Sequence, residues 1–544
     1  MFRHHPKGLF ILFFVSLFDR LAYYILFTIL VLSLRAGYGL SEEWLGIIYA
    51  VYLFGVYFLG IGGGYVADRW LGYLKSGIIG LVLMLGGYVF LSVPLHSLPL
   101  FCAGLLVLII GNGFYRSNLV ALLGNLYDSP GFSDQRDNGF SIYYMGINVG
   151  ALFAPFAAVF ASDYYLAKEH FVFDAKLLEM ANKYTSGMKV DLPALRELIS
   201  HQPVHSADIS GFCSQYLHAV SMGYHAAYII AAIALLISLG IFLWFRTYLS
   251  SFDVRKDVQH ETHHLSGNES ERVLALSIVM FVVMFFWMSF YQNGFTLTLF
   301  ANDYTQQTAK PATYLFFDLP SILCMMGAAV SVYIMVHKKN LQARIWSGLI
   351  LLLCAAGVIL RYKGFQLSMP IKAEYFQLFN PMFCIMLTPV ILGLFTFLRK
   401  KKSEPSTPKK IGIGMLLTAI TFVLMIFAST GLPGPKVLGG GISPVLISPW
   451  WLINVYLLTT IAELFLSPIG MSFVSKLSPS HLRGLMQGLW FGAMALGNLL
   501  SGLIGAFLWK KLELWQFFAV FVAASLLSAI FIFSVMRKLE KVSH

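Results

Sequence analysis

The chain contains fourteen separate apolar runs, and each has roughly the 20 residues that an α-helix needs to cross a lipid bilayer. Hydrophobic residues make up 58% of the chain and charged residues only 12%, whereas soluble domains have about a quarter of their residues charged. In lipid, a spanning segment must satisfy its own backbone hydrogen bonds, so runs of this length favour helices. The sequence therefore predicts an all-α polytopic membrane protein with no nucleic-acid partner, despite its net charge of +12.

The predicted spans are 9–36, 44–66, 76–95, 98–122, 139–161, 222–246, 272–300, 313–336, 345–362, 376–398, 411–430, 448–474, 486–508 and 513–536. The first run is too long for a signal-peptide core and has no small-residue cleavage site, so we expect it to be a spanning helix of the mature chain.

The distribution of Lys and Arg predicts the orientation of these spans. With both termini in the cytoplasm, the interior segments hold 23 of the 38 basic residues and the exterior segments hold 13. Arg20 and Arg116 lie within spans. Because basic residues concentrate in cytoplasmic loops, we expect a multi-pass protein of the inner or plasma membrane with both termini inside.

Two connections between spans are unusually long. The exterior segment 162–221 contains two helix-like stretches, with Asp191 as an N-cap, and is either a small folded cap or a floppy loop. The interior linker 247–271 is polar, and its HETHH run at 260–264 is expected to be solvated rather than a metal site. The five cysteines form no disulfide or zinc spacing, so no metal and no cofactor is expected.

Ionisable residues inside the spans are few, and such residues are expensive in lipid and usually functional. They are Asp19 and Arg20 in the first span, Arg116 in the fourth and Glu463 in the span 448–474. In the first span they belong to a polar and aromatic stripe at helical spacing, which favours a water-filled cavity. The alternative is that Asp19 and Arg20 only pair with each other or with a neighbour and hold helices together.

The segment GGYVADRWLGYLK, 63–75, lies at an interior turn after the second span. It resembles the loop motif of the major facilitator superfamily, although Tyr73 stands where a basic residue is frequent. Its charges, Asp68 and Arg69, are expected to brace two helices and to break and reform during gating.

Longer motifs narrow the resemblance to one family. They include FDRLAYY, GNGFYRSNLVALLGNLYD, RDNGFSIYYMGINVGALFAP, FFWMSFYQNGFTLTLFA, FQLFNPMF and the stretch from YLLTTIAELFLSPIG to GNLLSG. In this order they resemble the proton-dependent oligopeptide transporter family over nearly the whole chain. The resemblance implies a symporter with the major facilitator fold, in which two six-helix bundles rock about a central cavity and import dipeptides and tripeptides with protons.

The resemblance also implies roles for individual residues. Glu463 would receive the amino terminus of the peptide, and Arg116 would attract its carboxylate. Asn148 and Asn380 would hydrogen-bond its amino end and backbone. Tyr23, Tyr24, Tyr57 and Tyr291 would line the site, Trp287 and Trp490 would form apolar walls, and Asp19, Arg20 and Glu463 would couple transport to protons.

Four positions depart from the family pattern. Ser16 and Tyr291 stand where glutamates are expected, Phe27 where an arginine is expected, and Arg116 where a lysine is expected. Arginine keeps the positive charge but cannot release a proton at working pH. Asp19 and Glu463 are therefore the carboxylates left within the spans to bind a proton.

The domain organisation follows from these spans. We expect bundle helices 1–5 in 1–161, the cap in 162–221, helix 6 in 222–246, a linker in 247–271, helix 7 in 272–300, an inserted helix pair in 301–375 and helices 8–12 in 376–544.

The function expected is proton-coupled import of small peptides by a protein that works as a monomer. Alternatives are a family member with another substrate, or a facilitator or exchanger without proton coupling. A receptor or scaffold using the cap is also possible, whereas an enzyme is disfavoured because HExxH and GxSxG motifs are absent from the sequence.

Overall fold

The structure is a computed structural model that describes residues 5–94, 97–128, 132, 136–204, 208–253, 267–337, 340–478 and 483–543. Fourteen helices among these residues are long and apolar enough to span a membrane, as predicted. The chain is therefore a multi-pass membrane protein. The HETHH run, 260–264, lies outside the described residues.

The first bundle contains six long helices and two short ones between the fifth and sixth. They are α1 (Lys7–Tyr38), α2 (Glu42–Val66), α3 (Tyr73–Ser92), α4 (Leu98–Tyr127), α5 (Arg136–Lys168), the short α6 (Ala175–Thr185) and α7 (Leu192–Ser200), and α8 (Ile209–Trp244). A π-helical turn, Ala67–Leu71, follows α2, and α9 (Arg246–Ser250) follows α8. α1 packs against both α5 and α8, which makes it the central helix of this bundle.

The second half of the chain forms another bundle and the inserted pair. Its helices are α10 (Gly267–Phe290), α11 (Thr296–Asp303), α12 (Pro311–Tyr314), α13 (Leu319–His337), α14 (Leu341–Gly364), α15 (Phe379–Lys400), α16 (Thr407–Ala428), α17 (Pro435–Leu438), α18 (Trp450–Leu477), α19 (Arg483–Leu508) and α20 (Leu514–Ser543). A 3₁₀ turn, Ala373–Leu378, precedes α15. α16 packs between α18 and α20.

The inserted pair, α13 and α14, packs mainly on itself. At its base, the two-residue strands β1 (Thr308–Ala309) and β2 (Met369–Pro370) pair antiparallel and tie the entering chain to the leaving chain. Most of the apolar surface of both helices stays exposed, which suits contact with lipid rather than with a protein core.

The two bundles approach most closely along α2 and α19. A Cβ on Gly46 would lie 2.8 Å from the carbonyl oxygen of Gly502, and a Cβ on Gly502 would lie 2.7 Å from that of Gly46. Only glycine fits both positions, so the backbones touch as small residues allow in membrane helices. We call the end of the molecule where α1 finishes the Tyr38 end, and the opposite end the Lys7 end.

Several predicted spans differ from the structure at their ends, such as 139–161, which is helical from Arg136 to Lys168, and 313–336, whose helix begins at Leu319. Two others differ more. The span 272–300 is not continuous, because a 3₁₀ turn, Tyr291–Gly294, separates α10 from α11. A Cβ on Gly294 would lie 2.5 Å from both Phe27 and Tyr49, so there is no room for a side chain at this position. The helix predicted from 222 begins at Ile209, since its first turns bury Phe212 and Tyr216 against the segment before α6.

The connection between α5 and α8 is folded. Both predicted helices are present as α6 and α7, and the side chain of Asp191 accepts a hydrogen bond from the Ala194 backbone N–H, as expected of an N-cap. Leu177 and Leu195 are fully buried beneath the two helices. We call residues 169–204 the cap.

Candidate substrate site

Asp19 and Arg20, at the middle of α1, form a buried ion pair. The Arg20 Nε–H donates to the Asp19 Oδ2 at 2.7 Å, and Arg20 and Asp19 are only 4% and 2% exposed. The Arg20 guanidinium also lies 4.8 Å from the centre of the Tyr23 ring. The pairing alternative therefore holds in this conformation, and the pair presents no net charge to the site.

Arg116 on α4 is a cation without a carboxylate partner among the described residues. Its guanidinium lies 4.4 Å from the centre of the Tyr57 ring, and its buried Nη1 has no hydrogen-bond acceptor. The hydroxyl of Tyr57 hydrogen-bonds that of Tyr291 across the bundle interface. Arg116 thus keeps unused donors, which suit an anionic ligand.

Glu463 on α18 is the corresponding anion in the second bundle. Its Oε2 accepts a hydrogen bond from Asn380 Nδ2 at 2.8 Å, and its Oε1 accepts one from the Tyr144 hydroxyl at 3.5 Å. The Asn380 amide also donates to Thr460 Oγ1. Within the described part of the chain, no cation lies within ion-pair distance of this carboxylate, which is held by neutral donors only.

Arg116 and Glu463 both lie in the neighbourhood of Tyr24 on α1. Tyr24, Arg116, Tyr144 and Asn380 are partly exposed, whereas Glu463 is only 7% exposed. A cation from the first bundle and an anion from the second therefore lie near the same tyrosine, among side chains that are only partly exposed to water.

Aromatic rings from both bundles close this region toward the Tyr38 end. Phe27 stacks on Tyr23 with ring centres 6.3 Å apart and meets Tyr291 edge-on at the same distance. Tyr291 in turn contacts Trp287 at 5.7 Å. The two positions where the family pattern expects an arginine and a glutamate are thus in contact, and here they form an aromatic pair.

The remaining predicted residues lie at the edges of the site. The Asn148 side-chain amide donates to the backbone oxygen of Tyr144, which places Asn148 one turn along α5 from the Glu463 contact. Trp490 is completely buried against Gly470, and the Trp287 indole N–H is buried without an acceptor. Trp490 therefore packs behind the site in this conformation, while Trp287 joins its aromatic wall.

Tyr144 and Cys384 belong to the site although the motifs did not single them out. The Tyr144 hydroxyl lies 4.0 Å from the Cys384 sulfur as well as contacting Glu463. Helical spacing carries the signal that could have found them, because Tyr144 precedes Asn148 by four residues and Cys384 follows Asn380 by four.

The bundles are joined by polar contacts at the Tyr38 end. Arg35 Nη1 donates to both carboxylate oxygens of Asp303 at 2.8 and 3.0 Å, and Arg35 also donates to the Gly440 carbonyl oxygen. Further ion pairs at this end join Glu42 with Lys510 and Asp163 with Lys372. The cap takes part, since Glu179 Oε2 accepts a hydrogen bond from the Ile442 backbone N–H at 2.7 Å.

The predicted gating residues at the Lys7 end are exposed. Arg69 donates to the Tyr65 hydroxyl on its own helix at 2.7 Å, and Asp68 has no polar partner among the described residues. Instead, Asp253 braces this turn by accepting a hydrogen bond from the Tyr73 backbone N–H. Neither predicted gating side chain crosses to the other bundle within the described part of the chain, so neither makes contacts like those at the Tyr38 end.

The chain matches one family model and is similar to several transporters of known sequence. The family model PTR2, the POT family, matches residues 48–263 and 363–514. The peptide transporter YePEPT of Yersinia enterocolitica is 27% identical over 92% of this chain and 88% of its own length. The di-/tripeptide transporter of Lactococcus lactis is 25% identical over 95% of this chain and 92% of its own length.

Solved structures show the same architecture. The peptide transporter POT, crystallised as a mutant with alafosfalin, gives a TM-score of 0.68 at 21% identity over 100% of this chain and 96% of that chain. A POT family transporter in complex with 5-aminolevulinic acid gives 0.66 at 20% identity over 99% and 98%. The predicted major facilitator fold is confirmed. The family model matches on both sides of the inserted pair and covers well over half of the residues, and the chain therefore belongs to the POT family of transporters.

Proposed function

We propose that the protein imports dipeptides and tripeptides together with protons, as a monomer in the inner or plasma membrane with both termini in the cytoplasm. The relatives named as peptide transporters support the substrate class. The excess of basic residues in the segments at the Lys7 end supports the orientation, which makes the Tyr38 end the outer end.

The observation that carries this proposal is the pair of uncompensated charges in the site. Arg116 comes from the first bundle and Glu463 from the second, and neither has an opposite charge at ion-pair distance among the described residues. A small peptide is a zwitterion, so its carboxylate fits the guanidinium and its ammonium fits the carboxylate. Both attractions gain strength in a region partly closed to water.

Promiscuity toward side chains follows from this arrangement. The two charges recognise the ends of the peptide, and Asn380 and Asn148 lie beside the end that holds the ammonium. The aromatic wall around Phe27 and Tyr291 gives the peptide side chains an apolar surface to pack on, and such packing does not require one particular side-chain geometry. The site then binds many sequences of similar length.

Glu463 is the proposed proton carrier. A carboxylate buried with neutral donors gains from binding a proton, which removes its uncompensated charge, and its carbonyl oxygen still accepts a hydrogen bond from the substrate ammonium. Asp19 is less available because its charge is already balanced by Arg20. In this scheme Asp19 binds a proton only if its ion pair with Arg20 separates.

Transport proceeds by rocking of the two bundles. The conformation described here has its polar contacts at the Tyr38 end, including Arg35 with Asp303, and so corresponds to an outer gate that is closed. Opening that gate requires these contacts to break while Asp68 and Arg69 gain partners at the other end. Pre-formed glycine contacts between α2 and α19 allow the bundles to pivot on each other.

Uptake of labelled dialanine into proteoliposomes tests the proposed function. We expect accumulation above the external concentration when a proton gradient directed inward is imposed, and its collapse when a protonophore is added. Accumulation that ignores the gradient, or no uptake of any peptide of two or three residues, contradicts the proposal.

The second candidate is a member of the family with an altered substrate. The contact between Phe27 and Tyr291 motivates it, because two positions expected to carry charge are aromatic here. Competition by dialanine and by its carboxyl-terminal amide separates the candidates. Recognition of the carboxylate predicts much weaker competition by the amide, whereas equal competition favours the altered substrate.

A further inference from the structure

The connection between α15 and α16 at the Lys7 end carries an unusual concentration of positive charge. Residues 399–410 hold six Lys and Arg residues, and Glu404 is the sole acidic residue between Glu374 and Glu463. The sequence RKKK, 399–402, begins in the last turn of α15, so these cations follow directly after a membrane span.

Glu404 is committed to two of these cations. Its carboxylate accepts hydrogen bonds from Arg399 Nε at 2.7 Å and from Lys410 Nζ at 2.6 Å. These bonds lower the pKa of Glu404 to about 2, so it stays ionised and engaged. Lys400, Lys401, Lys402 and Lys409 stay exposed, and no ion pair of theirs is found among the described residues.

The end of α20 extends the same surface. Ser406 Oγ hydrogen-bonds the Glu540 carboxylate, which holds the connection beside the last turns of that helix. Arg537 and Lys538 are exposed there. The basic rim, as we name this surface, consists of Lys400, Lys401, Lys402, Lys409, Arg537 and Lys538.

The rim begins where the span of α15 ends, at Lys400. The Lys401 ammonium sits 4.5 Å from the centre of the Phe397 ring, and that residue is 52% exposed on the apolar surface of α15. The Lys401 ammonium is therefore held over an exposed apolar ring at the end of the span, in a cation–π contact.

We propose that the basic rim binds the headgroups of anionic phospholipids in the bilayer leaflet at the Lys7 end. Several ammonium groups lie beside the end of a membrane span, and they outnumber the two described carboxylates of this surface, Glu404 and Glu540. A phospholipid contacts both parts of this surface, because its phosphate pairs with the ammonium groups of the rim and its acyl chains pack on the exposed Phe397 ring. A free phosphate ion pairs only with the ammonium groups of the rim.

Native mass spectrometry of the full chain in detergent, with equal phosphatidylglycerol and phosphatidylcholine, tests this site. We compare the wild type with the triple variant K400Q/K401Q/K402Q. The matched control is K168Q/K176Q/K189Q, which removes three exposed lysines at the opposite end. Each lysine near an anionic lipid surface contributes roughly fivefold to the affinity. Losing three of them should therefore lower the phosphatidylglycerol affinity of the rim variant by up to about 100-fold.

Preferential phosphatidylglycerol binding that is lost in the rim variant and kept in the control supports the proposal. An equal loss in both variants, or no preference in the wild type, overturns it. A third arm adds inorganic phosphate, and displacement of phosphatidylglycerol by millimolar phosphate also overturns a lipid site. Melting temperatures of all three proteins verify that each variant is folded.

Discussion

The two halves of the substrate site handle charge in opposite ways. In the first bundle, Asp19 is neutralised by Arg20 at 2.7 Å, and Arg116 remains as an unpaired cation over an aromatic ring. In the second bundle, Glu463 is a lone carboxylate held by an amide and a phenol. The first half is thus net positive and the second half net negative.

This difference separates two carboxylates that look equivalent in the sequence. Both are acidic residues in the middle of a spanning helix, where ionisable groups are rare. A carboxylate beside a guanidinium gains little from binding another cation, whereas an unpaired one gains much. Glu463 is therefore the better candidate for carrying the proton beside the substrate ammonium, and Asp19 for maintaining the structure of α1.

Replacing Glu463 has the largest expected effect. Glu463→Gln keeps the size and much of the hydrogen bonding of the side chain but removes its charge, so we expect concentrative uptake of dialanine to be abolished. Glu404→Gln, outside the site, is the control and should retain uptake. If the Glu463→Gln protein still accumulates peptide against its gradient, Glu463 has no part in the coupling mechanism.

Replacing Arg116 has the second-largest expected effect, and it tests the positively charged half of the substrate site. Loss of a charged hydrogen bond to the peptide carboxylate should weaken uptake of free-acid peptides by roughly 10- to 100-fold in Arg116→Gln. Competition by amidated peptides should change little, because they carry no carboxylate. If free-acid and amidated peptides weaken equally, Arg116 supports the fold of the site rather than recognising the substrate.

Replacing Asp19 distinguishes a structural pair from a coupling group. Asp19→Asn leaves Arg20 as an unpaired buried cation, which typically costs about 3–5 kcal/mol of stability. We expect a lower melting temperature, partly restored in the double variant with Arg20→Gln, and uptake by the folded fraction that still depends on the proton gradient. Normal stability with loss of gradient dependence would assign Asp19 to coupling instead.

Removing the Tyr291 hydroxyl has the smallest expected effect. Tyr291→Phe deletes the hydrogen bond to Tyr57 across the bundles but keeps the contact with Phe27, so we expect a change of less than about tenfold in transport rate, as for one neutral hydrogen bond. Transport rates at several pH values provide the measurement. A change in pH dependence contradicts a purely structural role for this hydroxyl.

Much of the fold could be predicted from the sequence. Apolar runs of spanning length predicted all fourteen helices, and Asp191 predicted the start of α7. Helix ends were less predictable where a helix leaves the bilayer. The residues after Ile209 are only partly apolar, and they are helical because one face packs on the cap.

The candidate site was predictable as a set of residues but not as a set of contacts. Motifs identified Arg116 and Glu463, yet which charge is paired depends on side-chain geometry that spacing does not encode. Phe27 packs against the helix break at Tyr291, although it is far away from it in the sequence. The contact between these two departures from the family pattern could not be foreseen for the same reason.

Proton movement driven by peptide tests most directly which carboxylate carries the proton. A pH-sensitive dye inside proteoliposomes should report acidification when dialanine is added outside wild-type protein. The same addition should give no signal with Glu463→Gln, while the folded Asp19→Asn protein still gives one. Acidification that persists with Glu463→Gln and is lost with Asp19→Asn would show that the paired carboxylate, and not the unpaired one, carries the proton.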